Sequence, residues 1–447
     1  MRNRIIAVTL AAVLCGTLTA SCRNGSPGDT TPNTSPVCLT IWHNDNQNND
    51  PDSRHQRILQ IAKQYTELHP HVTFEIVGKV GEEKMFTSML AGSGPDLVKP
   101  NWVYGGQWGF TGVLADLTDM VNDDVAFDKN DIISAAWDRC TYKGRIYTIP
   151  DEINSSEFYY NIDLLSQKGY DGPPKTYQEL VEMAVDLTEY DSEGKIVRAG
   201  FIPDYPWMEK VLWPVAFGAK WIDPETNEIT FDSPEMYDAY QWQLDIYNTI
   251  GYDKLLTFKT SLGSGSANVA GSPFIDEKLV MQFCGEWLMD EVAQLRPNMN
   301  YGVTYCPYPD GKPELEGSMF ITAHVWGINK RSNNTLEENW SFLSYLTSKD
   351  IMEQFSAGYN GSGILMARQS VLNNLPASVH PLKKKVAQML QSDKCTGFPM
   401  SLYVNDYLVE IDQQLNLVFS NKISLDDALK NVTVKIQKFA DENPIND

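Results

Sequence analysis

Aromatic rings combined with polar side chains are the main chemistry that this sequence offers. The chain has 11 tryptophans and 21 tyrosines, and many of them fall in predicted loops at strand ends. An aromatic face packs against the flat C–H face of a small molecule, while amides and carboxylates bind its hydroxyl groups. Ligand sites of α/β proteins form at such strand ends. A cleft for a neutral, hydroxyl-rich molecule such as a sugar would need this combination of side chains.

Sequence motifs that would indicate catalysis are missing. The chain has no G-x-S-x-G turn, no H-E-x-x-H pair and no phosphate-binding P-loop. Its histidines are scattered, at His43, His55, His69, His71, His324 and His380. Two carboxylates in a sugar cleft can hydrolyse a glycosidic bond, so a secreted glycoside-active enzyme stays open as the alternative function.

No metal site is expected. The stretch Asn44–Asp50 is rich in oxygen ligands, but it lacks the central glycine and the terminal glutamate of an EF-hand loop. The cysteines are widely spaced and include no C-x-x-C pair, which argues against zinc. We interpret five of the seven as small hydrophobic residues, mainly buried, and assign no disulfide. These five are Cys38, Cys140, Cys284, Cys306 and Cys395.

The N-terminal segment has the pattern of a secretory signal. Arg2 and Arg4 precede an apolar run, Ile5–Leu18, and small residues then lead to Cys22. This stretch resembles the lipobox of bacterial lipoproteins, whose cysteine is lipidated, although Leu18 stands one position upstream of the usual leucine. We therefore expect a signal peptide over 1–21, lipidation at Cys22 and a flexible tether over 22–37.

Charge and length limit the partners and the domain count. The net charge of −22 argues against binding to nucleic acid or to anionic lipid surfaces. The body from residue 38 to residue 447 is long enough for two domains. After the leader, no segment is apolar enough to span a membrane.

Capping signals show where the predicted helices begin, and predicted strands alternate with these helices. The alternation predicts an α/β fold with mostly parallel sheets. We interpret Asp96, at a strand start, as a structural residue that accepts hydrogen bonds from the backbone. The strands are Cys38–Trp42 and Val72–Val77, and the helix starts are Ser53 with Gln56, Thr176 with Glu179, Ser233 with Pro234, Thr335 with Glu338, and Ser424 with Asp427.

Several short motifs follow one another in a characteristic order. They are Tyr65–Val72, Leu90–Val98 (LAGSGPDLV), Gly112–Leu117 (GVLADL), Tyr142–Pro150 followed by Tyr159–Leu165, Pro174–Leu180 (PKTYQEL) and Val280–Trp287 (VMQFCGEW). No single motif is specific, but their order and spacing together are. Over nearly the whole body the chain resembles the extracellular solute-binding proteins of ABC importers, specifically the maltose-binding-like family 1.

The resemblance implies a two-lobed α/β fold of the periplasmic-binding-protein type II class, with the ligand in the cleft between hinged lobes. By the matched positions, lobe 1 is 38–151 plus 308–361, and lobe 2 is 152–307 plus 362–447. The chain then crosses between the lobes near 150–154, 304–309 and 360–365. Hinge closure would trap the ligand for delivery to the transmembrane subunits of an ABC permease. No cofactor is implied, and we expect a monomer that is lipid-anchored on the extracytoplasmic face of a bacterial membrane.

The resemblance also implies which residues contact the ligand. The expected aromatic platforms are Trp287 and Trp102, together with Trp207, which we favour over Trp213. The other expected contacts are Asn44, Asp45, Asn154, Glu286, Tyr359, Asn360, Tyr403 and Asp406.

The expected ligand is a carbohydrate, in the first place an oligosaccharide. Arginine and lysine are sparse in the predicted cleft loops, which argues against a phosphate ligand. A polyamine would need several carboxylates around an aromatic box, and such a non-sugar solute is kept as an alternative.

Overall fold

The structure is a computed structural model. It describes residues 35–47, 49, 53–205, 212–223, 226, 228–262, 272–358 and 362–442. Four of the expected site residues, Cys22, Trp207, Tyr359 and Asn360, lie outside these ranges, as do the expected signal peptide and most of the tether.

The described strands range from two to 13 residues in length. Two of them, β6 and β11, have at least ten residues each. In chain order the described strands are β1 Val37–His43, β2 Val72–Val77, β3 Leu97–Lys99, β4 Thr141–Tyr142, β5 Arg145–Ile146, β6 Ile149–Asn161, β7 Glu189–Tyr190, β8 Ile196–Arg198, β9 Met281–Gly285, β10 Tyr301–Thr304, β11 Met319–Ile328 and β12 Cys395–Thr396.

The main sheet of the described chain has eight strands, some parallel and some antiparallel. Its strand order is β10-β6-β11-β3-β1-β2, with β12 paired to β11 and β9 paired to β6. Strand β1 runs parallel to β2 and β3, and β11 runs parallel to β12. The pairings β10–β6, β6–β11, β6–β9 and β11–β3 are antiparallel. The prediction of mostly parallel sheets is therefore wrong, because β6 and β11 run antiparallel to each other and to β3, β9 and β10.

Strand β6 connects two regions of the molecule. Its first half, from Ile149 to Ser155, pairs with β11. Its second half pairs with β9, starting with Ser156 opposite Gly285, and with β10. The chain thus leaves one set of strands and joins another within a single continuous strand.

The helices begin where the capping signals predict. Thr176 and Thr335 form reciprocal capping boxes with Glu179 and Glu338, and the Ser53 side chain accepts a hydrogen bond from the backbone of Gln56. The described helices are α1 Arg54–Leu68, α2 Glu82–Leu90, α3 Gly105–Phe110, α4 Thr118–Asp123, α5 Ser134–Trp137, α6 Ile162–Gln167, α7 Tyr177–Asp186, α8 Leu212–Ala216, α9 Pro234–Ile250, α10 Tyr252–Ser261, α11 Leu288–Leu295, α12 Leu336–Leu346, α13 Lys349–Ser356, α14 Gln369–Asn373, α15 Pro381–Met389, α16 Val404–Phe419 and α17 Leu425–Glu442.

Apolar side chains gather in two large cores. The first core includes side chains of β1, α1, α12 and most of β11. The second core includes side chains of α7, α9, α16, α17 and β9. Apolar residues between Leu365 and Leu390, which the sequence assigned to lobe 2, pack in the first core. Among the described helices, none is long and apolar enough to cross a membrane.

Three smaller expectations can be compared directly with the structure. Asp96 accepts hydrogen bonds from the backbone N–H and the hydroxyl of Thr40, at 2.8 and 2.7 Å, so its structural role is confirmed. Trp213 is fully buried in the second core. Four of the five body cysteines are buried, whereas Cys38 is exposed.

Candidate functional site

Trp287 lies at the end of β9, immediately before α11. Its indole folds back over Gly285, where a Cβ atom would come within 2.0 Å of the ring atom Cζ3. Only glycine leaves room for the ring in this position. The backbone oxygen of Gly285 accepts a hydrogen bond from the Tyr159 hydroxyl at 2.9 Å. The end of β9 is therefore fixed against β6. The half-buried indole of Trp287 is held in one position.

Glu286 lies beside this ring and is bound to β6. Its Oε2 atom accepts a hydrogen bond from the backbone N–H of Ser155 at 3.3 Å. The Ser155 hydroxyl donates to Glu157, which is fully buried. Burial raises the pKa of Glu286 to about 7, against the opposing influence of Lys383. Burial and the nearby Glu286 raise the pKa of Glu157 well above its usual range.

A network of ion pairs joins α1 to β6. Arg54 Nε donates to Glu152 Oε2 at 2.8 Å, and Arg57 Nη2 donates to Glu152 Oε1. Arg54 Nη1 also lies 3.6 Å from Asp45 Oδ1. Burial opposes ionisation of Glu152, but Arg54 and Arg57 outweigh it and hold the pKa of that carboxyl well below its usual range. Both arginines thus already have a carboxylate partner.

The remaining cation at this place is also paired. Lys383 Nζ donates to Asp290 Oδ2 at 2.7 Å and to the backbone oxygen of Gly363 at 2.8 Å. Asp290 belongs to α11, and Lys383 belongs to α15. This pair connects the helix that follows Trp287 to the segment around Gly363.

These groups line one pocket with a volume of about 510 Å³. Of the residues expected to bind ligand, it brings together Trp287, Glu286 and Asp45. Glu152 and Ile153 of β6 form part of its wall, and Ser362–Leu365 form another part. We call it the Trp287 pocket.

Asn154 is adjacent to this wall but bonds elsewhere. Its Nδ2 atom lies 3.1 Å from Nε2 of His324. Burial, together with Arg54 and Lys99, lowers the pKa of His324 well below its usual value. The imidazole is therefore neutral, and its Nε2 accepts the hydrogen bond from the Asn154 amide.

Four further expected contacts that the structure describes, Asn44, Trp102, Tyr403 and Asp406, do not line the Trp287 pocket. Asn44 donates to Glu82 Oε1 at 2.7 Å. Trp102 begins a short 3-10 helix that packs against α16, and its ring lies partly buried against the second core. Tyr403 is buried in the second core, where its ring lies 6.2 Å from that of Phe439. Asp406 is exposed in the first turn of α16.

Four ion-paired residues of the pocket, Arg54, Glu152, Asp290 and Lys383, were not predicted from the sequence. Glu152 could have been inferred, because it precedes Asn154 by two residues in a strand and therefore points to the same face. Arg54, Asp290 and Lys383 gave no local signal. Their partners are distant in sequence, 98 positions away for Arg54 and 93 for Lys383.

The raised pKa of Glu286 predicts a pH effect on stability. The unfolded carboxyl releases its proton near pH 4.5 and the folded one near pH 7, so the folded state binds more protons between these values. Stability attributable to Glu286 is therefore present below pH 4.5 and is lost as the pH rises to 7. We expect Glu286→Gln to raise the melting temperature at pH 8 and to change it little at pH 4.5. An equal change at both pH values would show that the carboxyl does not titrate in this range.

Comparisons with known proteins agree with this architecture. The family model for bacterial extracellular solute-binding proteins matches residues 60–386. The maltotriose-binding protein of Pyrococcus abyssi is 21% identical over 372 residues, which cover 79% of this chain and 71% of that protein. The lactose-binding protein of Rhizobium radiobacter is 30% identical over 188 residues, which cover 40% of this chain and 38% of that protein.

Solved structures share the fold. CpMnBP1 with mannobiose bound has a TM-score of 0.74 at 23% identity, covering 90% of this chain and 100% of that one. Maltose-bound MalE3 of T. maritima has a TM-score of 0.67 at 20% identity, covering 90% and 99%. The predicted two-lobed α/β fold is thereby confirmed. Since the family model spans most of the chain, this protein belongs to the bacterial extracellular solute-binding proteins.

Proposed function

We propose that this protein captures a neutral oligosaccharide in the Trp287 pocket and delivers it, chemically unchanged, to an ABC permease. The observation that carries the proposal is the composition of the pocket. An indole face lies beside hydrogen-bonding carboxyl groups, and the cations Arg54, Arg57 and Lys383 are each paired with a carboxylate. A sugar offers C–H faces for the ring and hydroxyls for the carboxyls.

Charge balance favours a neutral ligand over a charged one. A phosphate or a carboxylate would have to compete with Glu152 and Asp290 for their arginine and lysine partners. A polyamine would compete with those same cations for the carboxylates. Breaking a buried ion pair is costly, whereas sugar hydroxyls can be added to the pairs as they stand. The similar proteins support the same class of ligand, since two of them hold mannobiose or maltose and a third is a maltotriose-binding protein.

A ligand screen tests this function. Isothermal titration of the mature protein against mannobiose, mannotriose, maltose, maltotriose, a uronic acid disaccharide and spermidine compares the ligand classes. We expect at least one neutral oligosaccharide to bind with micromolar or tighter affinity and to be recovered intact. Binding of spermidine alone, or cleavage of the sugar, would refute the proposal.

Lobe closure is the proposed mechanism. The lobes are taken as 38–151 plus 308–361 and 152–307 plus 362–447, and β6 serves as one connection between them. The pocket draws Asp45 and Arg54 from the first lobe and Glu286 and Trp287 from the second. A ligand that contacts both sides binds the closed form better and therefore shifts the population towards it.

Membrane attachment through Cys22 completes the proposal. A lipidated cysteine followed by a flexible tether would hold the pocket near the permease and raise its effective concentration there. We expect Cys22→Ala to move the protein from the membrane fraction to the soluble extracytoplasmic fraction, with sugar affinity unchanged. An unchanged membrane fraction on immunoblots would contradict lipidation at this position.

A further inference from the structure

Acidic side chains outnumber basic ones in the Trp287 pocket. Among the described residues that line it, the acids are Asp45, Glu152, Glu286 and Asp290, and the bases are Arg54, Arg57 and Lys383. Glu152 bonds to both arginines, one of which also contacts Asp45. Asp290 is paired with Lys383. In the described chain, Glu286 is therefore the one acid of this pocket that has no ion pair.

Glu286 shares its place with a second acid. Its Oε2 atom accepts only a long hydrogen bond, 3.3 Å, from the backbone N–H of Ser155. The hydroxyl of the same serine donates to Glu157, which is fully buried. In the described chain, the Oε2 atom of Glu157 is buried without a hydrogen-bond partner. Two carboxyl groups held on either side of one serine favour the retention of a proton.

Charged groups act on Glu286 from two helices and from β6. Lys383 of α15 and Arg54 of α1 favour its ionised form, but each already has another carboxylate as its partner. Glu157 of β6 and Glu286 repel each other when both are charged. Burial raises the pKa values of two further neighbours, which therefore stay uncharged at neutral pH: Tyr159 of β6 and Cys284 of β9. Burial prevails over the two cations, and the pKa of Glu286 rises to about 7.

We propose that the Trp287 pocket captures its oligosaccharide together with a proton, which Glu286 takes up from the solvent. The inference rests on the proposed function, because it requires that a neutral sugar fills this pocket. A sugar that covers Glu286 displaces water and brings no positive charge, so binding disfavours the ionised carboxyl. The protonated carboxyl offers an O–H donor to a sugar oxygen, while its other oxygen still accepts from Ser155.

This coupling makes sugar capture depend on pH. Affinity is full where Glu286 is protonated before the sugar arrives, and it falls as the pH rises through the pKa of about 7. When only the protonated form binds, the affinity at pH 8 is about one tenth of the affinity at pH 6. The cations of the pocket cannot neutralise an ionised Glu286 without leaving their own carboxylates, which is costly at a buried place.

Isothermal titration of the full mature chain at pH 6, 7 and 8 tests the coupling. The probe is whichever of mannobiose, mannotriose, maltose and maltotriose binds the wild type most tightly at pH 6. We expect Kd to rise about tenfold from pH 6 to pH 8. At pH 7, titrations in phosphate and in Tris, two buffers with different ionisation enthalpies, should show an uptake of about half a proton per sugar.

The outcomes separate this inference from the proposed function. A Kd that is the same at all three pH values, without proton uptake, would overturn the coupling and leave sugar capture intact. If none of the four sugars binds at any pH, both proposals fail. The buffer comparison needs only the wild type, so it decides the question even where a variant does not fold.

Two variants assign the proton to Glu286. Glu286→Gln keeps a donor and an acceptor at every pH, so it should bind at pH 8 about as tightly as the wild type does at pH 6. Glu291→Gln is the matched control, because burial and Asp290 also raise the pKa of Glu291 to about 7, but this residue does not line the pocket. It should keep the tenfold change in Kd. A change of equal size in Glu286→Gln would show that the proton binds elsewhere and would overturn the proposal.

Discussion

Trp287→Ala is expected to weaken oligosaccharide binding about 100-fold, which corresponds to about 2.7 kcal/mol. The indole is the one aromatic platform among the described residues of the pocket, and Gly285 holds it in place. Removing the ring deletes the stacking surface and leaves the sugar with hydrogen bonds that water can also make. Isothermal titration measures the loss.

Two further variants separate stacking from general damage. Trp287→Phe keeps a smaller aromatic face and should recover part of the affinity. Trp137→Ala removes a half-buried tryptophan that lines a different groove and should leave affinity unchanged. If Trp287→Ala binds as tightly as the wild type, the ligand does not stack on this ring.

Glu152→Ala is expected to lower the free energy of unfolding by about 3–5 kcal/mol. This carboxylate is the shared partner of Arg54 and Arg57, and its removal leaves two cations uncompensated at a mostly buried place. Urea unfolding at pH 7 measures the change. Glu193→Gln is the matched control, because the Lys195–Glu193 pair is about 70% exposed on both sides and such pairs contribute less than about 1 kcal/mol.

The sign of the pH dependence follows from the lowered pKa of Glu152. Its stabilising contribution is fully present above the unfolded pKa of about 4.5 and is lost as the pH falls through the folded value. The difference between wild type and Glu152→Ala should therefore shrink in strong acid. A constant difference from pH 7 down to pH 2 would contradict this role for the ion pairs.

Local features of the fold were predictable from the sequence, and long-range ones were not. The capping boxes at Thr176 and Thr335 depend on residues three positions apart, so their motifs are visible in the chain. The direction of β6 and β11 depends on pairings between residues about 170 positions apart. The alternation of strands and helices carries no information about these pairings, which is why a mostly parallel sheet was expected.

Trp287, Glu286 and Asp45 were predicted from the sequence, but the ion pairs of the site were not. Trp287 stood out through the motif that precedes it, and the family match confirms the prediction of a binding protein rather than an enzyme. Tyr403 was expected in the cleft, but the structure buries it among apolar residues of the second core. The ion pairs of Glu152 with Arg54 and Arg57 join β6 to α1 across the fold, so spacing along the chain could not reveal them.

A crystal structure of the mature protein with its tightest-binding oligosaccharide is the most direct test of sugar capture in the Trp287 pocket. We predict an intact sugar with one ring stacked on the Trp287 indole, and with hydroxyls bonded to Glu286 on one side and Asp45 on the other. A sugar bound elsewhere while this pocket stays empty, or a cleaved product in the pocket, would contradict the account.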